Sequence, residues 1–360
     1  MPFKLEPRQE ISRTVVYATP VLAVLLTVIS GYFLFLCLGL SPATTLYHFL
    51  ISPTLTFYGW SELCVKAGPL VLIATGLAIG FRANVWNIGA EGQLTFGAIG
   101  AGGIALAFWN ESGLWILPLM CLAGILGGMI YGAIPALLKT RFGVSEILTS
   151  LMLTYVSTLG LGILVYGPWR DPQGFNFPQT RMFTDSALLP LILDGTRMHV
   201  GILVTLAVSL AAWILMTRTI AGFQVKVVGE APAAARFAGF SRNRTIWMSF
   251  LVSGAGAGLA GTFEAAGPVG QLVPHLTPGY GFTAIIVAFL GRLHPIGIIV
   301  AGFLMAISYN GGEIAQVEDR LPQAATGVFQ GMLLFYLLAC DFLSRYRLRR
   351  ISARREVTPS

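Results

Sequence analysis

The chain has 360 residues, of which 55% are hydrophobic and only 11% charged, with a mean hydropathy of +0.74 and a formal net charge of +7. Soluble domains carry about 25% charged residues, so a water-soluble globular fold is excluded. The short alternating-polarity segments of a membrane β-barrel are absent as well. The positive charge does not point to nucleic acid, because the basic residues track loops on one side of a series of apolar runs.

Apolar runs of roughly 20 residues match a hydrocarbon core about 30 Å thick. They predict an all-α, polytopic membrane protein with about ten transmembrane helices, some short or broken. A short N-terminal segment, 1–14, precedes a single transmembrane domain over 15–342, and a basic tail follows at 343–360. The expected spans are Val15–Leu40, Leu63–Phe81, Gly92–Trp109, Leu114–Leu138, Ile147–Tyr166, Val200–Thr217, Trp247–Ala266, Phe282–Leu290, Ile296–Asn310 and Gln323–Phe342. The eighth is too short alone, and begins nearer Pro278 or ends in a break at Gly291–Pro295. Forty-two glycines suit close helix packing in lipid.

Lysine and arginine set the orientation. Eighteen of the 23 fall on one side: Lys4, Arg8, Arg13, Arg82, Lys139, Arg141, Arg218, Lys226, Arg236, Arg242, Arg244, Arg292, Arg345, Arg347, Arg349, Arg350, Arg354 and Arg355. Lys66, Arg170, Arg181, Arg197 and Arg320 fall on the other. The first side is read as cytoplasmic, with both termini there.

Within this apolar chain the stretch Phe81–Gln93 is polar. Its Asn84, Asn87, Gly89, Glu91, Gly92 and Gln93 lie between two spans, and polar groups at such a break line a cavity or a contact surface. By topology it belongs near the inner face, in a structural or gating role. The inner loop, about 218–246, contains Gly229-Glu230-Ala231-Pro232-Ala233-Ala234-Ala235-Arg236-Phe237-Ala238-Gly239. Pro232 starts a short alanine-rich helix and Gly239 stops it. Residue content alone fits an ordinary connector; small residues with Arg236 and Arg242 beside them also fit a docking helix. The outer loop, about 167–198, is rich in proline and glycine and reads as a structured cap.

Glu264 falls late in the seventh span. A carboxylate at mid-bilayer costs roughly 2.5–3.5 kcal/mol and much less near an interface, so it is expected near the outer interface, or on the translocation path. Asn310 joins it as a path candidate. Asn310, Glu313, Gln316, Glu318 and Asp319 together read as a solvated acidic outer loop. The scattered Cys37, Cys64, Cys121 and Cys340, with His48, His199, His275 and His294, form no metal-ligand set. No P-loop is present, so the chain is not itself expected to hydrolyse ATP.

The inner-loop glycines and alanines (Gly229, Ala234, Ala235, Gly239), the run Ser253–Gly261 with Glu264, and Gly279-Tyr280, Ala284-Ile285, Leu290-Gly291 and Asn310-Gly311-Gly312 follow in one order. With the block Asn87-Ile88-Gly89-Ala90-Glu91-Gly92-Gln93, they resemble the membrane permease subunits of ABC importers of the ribose and simple-sugar type, over Lys66 to Phe342. Gly291-Arg292-x-x-Pro295 departs from the ribose pattern and is more similar to the nucleoside branch, which works with BMP-type lipoproteins.

The resemblance implies the fold of the vitamin-B12-importer and ribose-permease class. It implies docking of a separate ABC ATPase on Gly229, Pro232, Ala234, Ala235, Arg236 and Gly239. It also implies a second permease subunit, homologous or identical, and an extracytoplasmic solute-binding protein or lipoprotein, in a bacterial plasma (inner) membrane. ATP-Mg would be used by the partner ATPase and no cofactor bound by this chain. Nucleosides or related simple sugars are the expected solutes. The rival reading is an ion-coupled secondary transporter of a small polar solute, which would need ionisable groups at mid-membrane.

Overall fold

The computed structural model describes residues 3–7 and 13–350, with side chains over 18–343. Arg8, Arg354 and Arg355, counted above for orientation, lie outside the described residues, as do half of segment 1–14 and the end of the tail.

The fold is helical. The helices are α1 (Arg13–Cys37), α2 (Pro42–Leu50), α3 (Phe57–Arg82), α4 (Ala90–Ala107), α5 (Ile116–Phe142), α6 (Glu146–Tyr166), α7 (Gly201–Arg218), α8 (Ile220–Glu230), α9 (Pro232–Phe237), α10 (Arg242–Glu264), α11 (Tyr280–Leu290), α12 (Pro295–Glu318) and α13 (Gln323–Arg345). Two short strands, β1 (Phe3–Pro7) and β2 (Tyr346–Arg350), pair antiparallel with Phe3 opposite Arg350.

Each of the ten expected spans coincides with one of these helices. Among the described residues, eight are long and apolar enough to cross a membrane. The remaining two are α11, with only 11 residues, and α4, whose first turn carries Glu91 and Gln93. The acidic outer loop expected after Asn310 is instead the last part of α12, which continues to Glu318. Gly311 and Gly312 read as a break in sequence, but Gly311 sits where a side chain would collide with the Phe49 backbone. It is a packing glycine inside a helix, not a turn residue.

Two compact units are present, 1–48 with 315–360, and 49–314. In the first, α1 packs on α13. The Ser30 and Tyr336 hydroxyls are 2.6 Å apart, and His48 Nδ1 lies 2.9 Å from an Asp319 carboxylate oxygen.

In the second, α3 is the central helix: 94% of its apolar window is buried, against 22% for α6. Around it, α4, α5 and α10 meet through glycine faces. A side chain at Gly258 would run into the Gly124 carbonyl, one at Gly97 into the Gly258 backbone, and one at Gly128 into the Gly254 carbonyl. Close backbone approach of this kind is how helices associate where lipid supplies no hydrophobic drive.

The outer loop is tied to the segment after α10. Thr180 N and Phe183 N donate to the carbonyls of Leu272 and Gly270 at 3.1 and 2.8 Å, and Leu189 N donates to that of Ala266 at 2.8 Å. That segment opens with a π-helical turn, Ala265–Val269, around Pro268.

Candidate functional site

The polar stretch after α3 does more than join two helices. α3 ends at Arg82, and the chain turns through Asn84, which adopts a left-handed φ of 56°. Asn84 is exposed, and its side chain accepts only the Trp86 indole N–H at 3.0 Å. The chain then re-enters the bundle. Asn87 is 3% exposed; its amide donates to Gln93 Oε1 at 2.9 Å and Ser253 Oγ at 2.7 Å, and its oxygen accepts from Gly89 N at 3.0 Å. Ile88 N donates to Ser150 Oγ at 3.2 Å. Gly89 and Gly92 let this segment pass directly over the backbones of Ser150 and Thr154 on α6.

Ser253 lies eleven residues into α10, about 16 Å along the helix from Arg242. The network around Asn87 is therefore deep in the bundle, not at its inner face as the sequence led us to expect. Irregular backbone at such depth is tolerated only where protein satisfies it. Asn87 and its partners supply that satisfaction.

Glu91 has a second task. Its carboxylate accepts Gly281 N–H at 2.6 Å and the Thr277 hydroxyl. Gly281 is in the first turn of α11, so Glu91 caps a helix that begins inside the bundle, where free N–H groups and the helix dipole call for an acceptor. The opposite end of α11 is held by the same stretch. Phe289 stacks on Phe81 and Trp86 at centroid distances of 5.1 and 5.6 Å. Residues 81–91 thus clasp α11 at both ends. A turn with left-handed Arg292 and Leu293 then leads into α12.

The inner loop forms two helices. Sequence reading found α9 but missed α8, whose Gly222 and Gly229 obscured its helical pattern. Thr219 caps α8 by accepting Gly222 N at 3.2 Å. Pro232 opens α9, and Gly239 follows it with φ of 76°, the left-handed residue that ends a helix.

Within α9, Ala235 is buried and Ala234, Arg236 and Phe237 are exposed, Phe237 at 95%. Ala235 lines a pocket of about 260 Å³ with Val228, Phe240 and Arg242. Gly229 brings α8 against the end of α3: a side chain there would strike the Arg82 carbonyl. The inner loop therefore rests on the residue that begins the polar stretch.

A third group of charges lies at the other end of α3. Glu62, 3% exposed, receives Arg197 from the outer loop through two hydrogen bonds, the Nε contact at 3.0 Å. Pairing with Glu62 raises the Arg197 pKa further. One turn on, Lys66 bonds Glu313 of α12. Glu264 closes α10 and is 7% exposed. Its place at the end of α10 agrees with a position late in the span, and protein rather than solvent surrounds it. Asn310 is 9% exposed on α12. These pairs join residues 135 and 247 positions apart, and no local pattern announces them.

His199 sits beside this group. It is 2% exposed, its Nδ1 has no hydrogen-bond partner, and burial pushes its pKa down to about 4. Among the described residues no cluster of His, Cys, Asp and Glu could hold a metal ion.

A helical membrane bundle with a re-entrant polar segment and a half-helix clasped inside it is an architecture of membrane transport proteins. Residues 59–338 match the family described as branched-chain amino acid transport system / permease component, and the chain belongs to it. It is similar to the glucose ABC transporter permease protein TsgB13 of Haloferax volcanii, at 36% identity over 96% of this chain and 93% of that one. The nucleoside ABC transporter permease protein NupB of Lactococcus lactis subsp. cremoris is 27% identical over 93% of both chains. The guanosine ABC transporter permease protein NupP of Bacillus subtilis is 28% identical over 88% of this chain and 92% of that one. The chain is thus an ABC transporter permease, and the secondary-transporter reading falls.

Proposed function

We propose that this chain forms the translocation path of an ATP-driven, binding-protein-dependent importer for nucleosides or related simple sugars. The relatives named for glucose, nucleosides and guanosine support that solute range. A separate ATPase, using ATP-Mg, docks on α8–α9; a second permease subunit completes the path; a binding protein or lipoprotein delivers solute to the outer face. The basic loops orient the chain in the plasma membrane with its termini in the cytoplasm.

The observation that carries this reading is the contact of Gly229 with Arg82. It gives a continuous route from the docking helix to the half-helix. A partner gripping Ala234 and Phe237 moves α8; α8 bears on Arg82; the polar stretch moves; Glu91 and the Phe81–Trp86–Phe289 stack carry α11 with them. ATP binding and hydrolysis in the partner thereby alternate the access of the path.

Copurification tests the docking. Ala234→Arg should abolish capture of the ATPase while leaving the amount of chain in the membrane unchanged. Full capture by this variant would contradict the reading.

A further inference from the structure

In the first compact unit the two ends of the chain meet. β1 and β2 pair antiparallel, with Phe3 opposite Arg350, Lys4 opposite Arg349, Leu5 opposite Leu348, Glu6 opposite Arg347 and Pro7 opposite Tyr346. Opposite residues of an antiparallel pair share a face, and successive residues alternate between faces. Phe3, Leu5, Pro7, Tyr346 and Leu348 therefore fall on one face, with Arg350 at its end. Lys4, Glu6, Arg347 and Arg349 fall on the other. The strands come from opposite ends of the sequence, yet their apolar and polar positions alternate in step. A ribbon of two strands is at best marginally stable alone in water, and an apolar sheet face has to be covered.

The place of the ribbon names the cover. α1 and α13 each contain a stretch long and apolar enough to cross a membrane, Ala18–Cys37 and Gln323–Leu343. β2 follows α13 directly, so Tyr346 stands three helical positions after Leu343, about 4.5 Å of rise. That short distance holds the ribbon at the boundary between hydrocarbon and water. Its charge fits the same surface. Lys4, Arg347, Arg349 and Arg350 stand against the acid Glu6, and basic residues beside a span are drawn to anionic headgroups. Tyrosine is itself a residue of the membrane interface. An element with one apolar and one basic face lies in the interface plane, its apolar face at the acyl boundary and its polar face among the headgroups.

We propose that β1 and β2 form an amphipathic ribbon seated on anionic phospholipid at the membrane surface where the two termini meet, with Phe3, Leu5, Pro7, Tyr346 and Leu348 on the face that lipid covers. The ribbon then ties α1 to α13 at their shared end. This rests on the reading that both termini are cytoplasmic, which makes the surface that of the inner leaflet.

The test uses the full-length chain with Cys37, Cys64, Cys121 and Cys340 replaced by serine. A nitrobenzoxadiazole label is attached at Leu348→Cys or at Arg349→Cys, neighbours on opposite faces. The chain is placed in nanodiscs of phosphatidylcholine with or without phosphatidylglycerol. With the anionic lipid, a phospholipid carrying a nitroxide near its headgroup should quench position 348 at least about twofold more than position 349. Acrylamide in the water should show the reverse order. Without the anionic lipid the contrast should shrink. Equal quenching at the two positions, or a contrast indifferent to phosphatidylglycerol, would overturn the proposal. Shielding of position 348 only after the ATPase joins the complex would overturn it too, because the partner would then be the cover.

Two further measurements separate the ribbon from its orientation. In the same discs a short bis-maleimide should join Leu5→Cys to Leu348→Cys, which are opposite in register; no crosslink would overturn the ribbon itself. In spheroplasts, dithionite added outside should leave the label at position 348 intact. Its reduction there, with the nitroxide contrast retained in discs, would support the seat on lipid and overturn the cytoplasmic orientation instead.

Discussion

Glu91 joins two parts of the chain that are 190 residues apart, and its value lies in the donors it satisfies. Hydrogen bonds to charged groups contribute about 1.5–3 kcal/mol, and a stranded buried donor costs a similar amount. Glu91→Ala leaves Gly281 N–H and the Thr277 hydroxyl unpaired inside the bundle. ATP-coupled uptake should fall tenfold or more at equal membrane content, whereas Glu91→Gln, which keeps one acceptor oxygen, should retain more of it. An unchanged rate for Glu91→Ala would mean that the cap is dispensable. His199 has a pH signature. Burial holds it neutral, with a pKa of about 4 against an unfolded value of about 6.5. The folded state therefore binds fewer protons between these values, so the stability it contributes is fully present above pH 6.5 and is lost as pH falls towards 4. Hydrogen exchange of the outer loop, 167–200, should accelerate over that window in the unaltered chain and much less in His199→Gln; identical profiles would remove His199 from the loop's stability.

At the scale of elements, α8 packs on α3, α7 and α10, and Gly229 is where it meets the end of α3 backbone to backbone. Any larger residue at 229 must push α8 off the Arg82 carbonyl. Gly229→Leu should leave the ATPase bound and hydrolysing while uptake is lost, which separates docking from transmission; normal uptake would sever the proposed route. The glycine faces of α4, α5 and α10 act differently, since they set the bundle itself. Overpacking there costs typically 1–3 kcal/mol and sometimes more. Gly258, with backbone on two sides, should tolerate valine badly. Gly258→Val should lower the folded, detergent-soluble fraction, measured by size exclusion, and a normal elution profile would show that the three helices can part. Much of this level was readable from sequence. Ten apolar runs gave ten helices, and Pro232 and Gly239 marked α9 because their backbone chemistry is local. What escaped was non-local: Gly229 and Gly311 look like breakers until a neighbouring backbone explains them, and Glu62, Lys66 and Glu313 look like surface charge until their partners arrive from distant elements.

At the scale of the molecule, the polar stretch after α3 stood out in sequence, but its depth did not. Loop positions are inferred from flanking charge, and Arg82 fixed only where the stretch begins. The chain then climbs back into the bundle, and only the Ser253 and Gly281 contacts reveal it. From there the parts follow in order: a small-residue loop, a re-entrant segment, and a half-helix held at both ends. The family and the relatives named for sugars and nucleosides make the chain an ABC transporter permease. The central claim is that a partner's ATP cycle drives solute through this chain. The most direct test is uptake of labelled guanosine and glucose by proteoliposomes holding the complete complex, with ATP supplied or withheld and an uncoupler added. Uptake of one of these solutes that requires ATP hydrolysis and ignores the uncoupler is the predicted result. Uptake that survives without ATP and collapses with the uncoupler would contradict it.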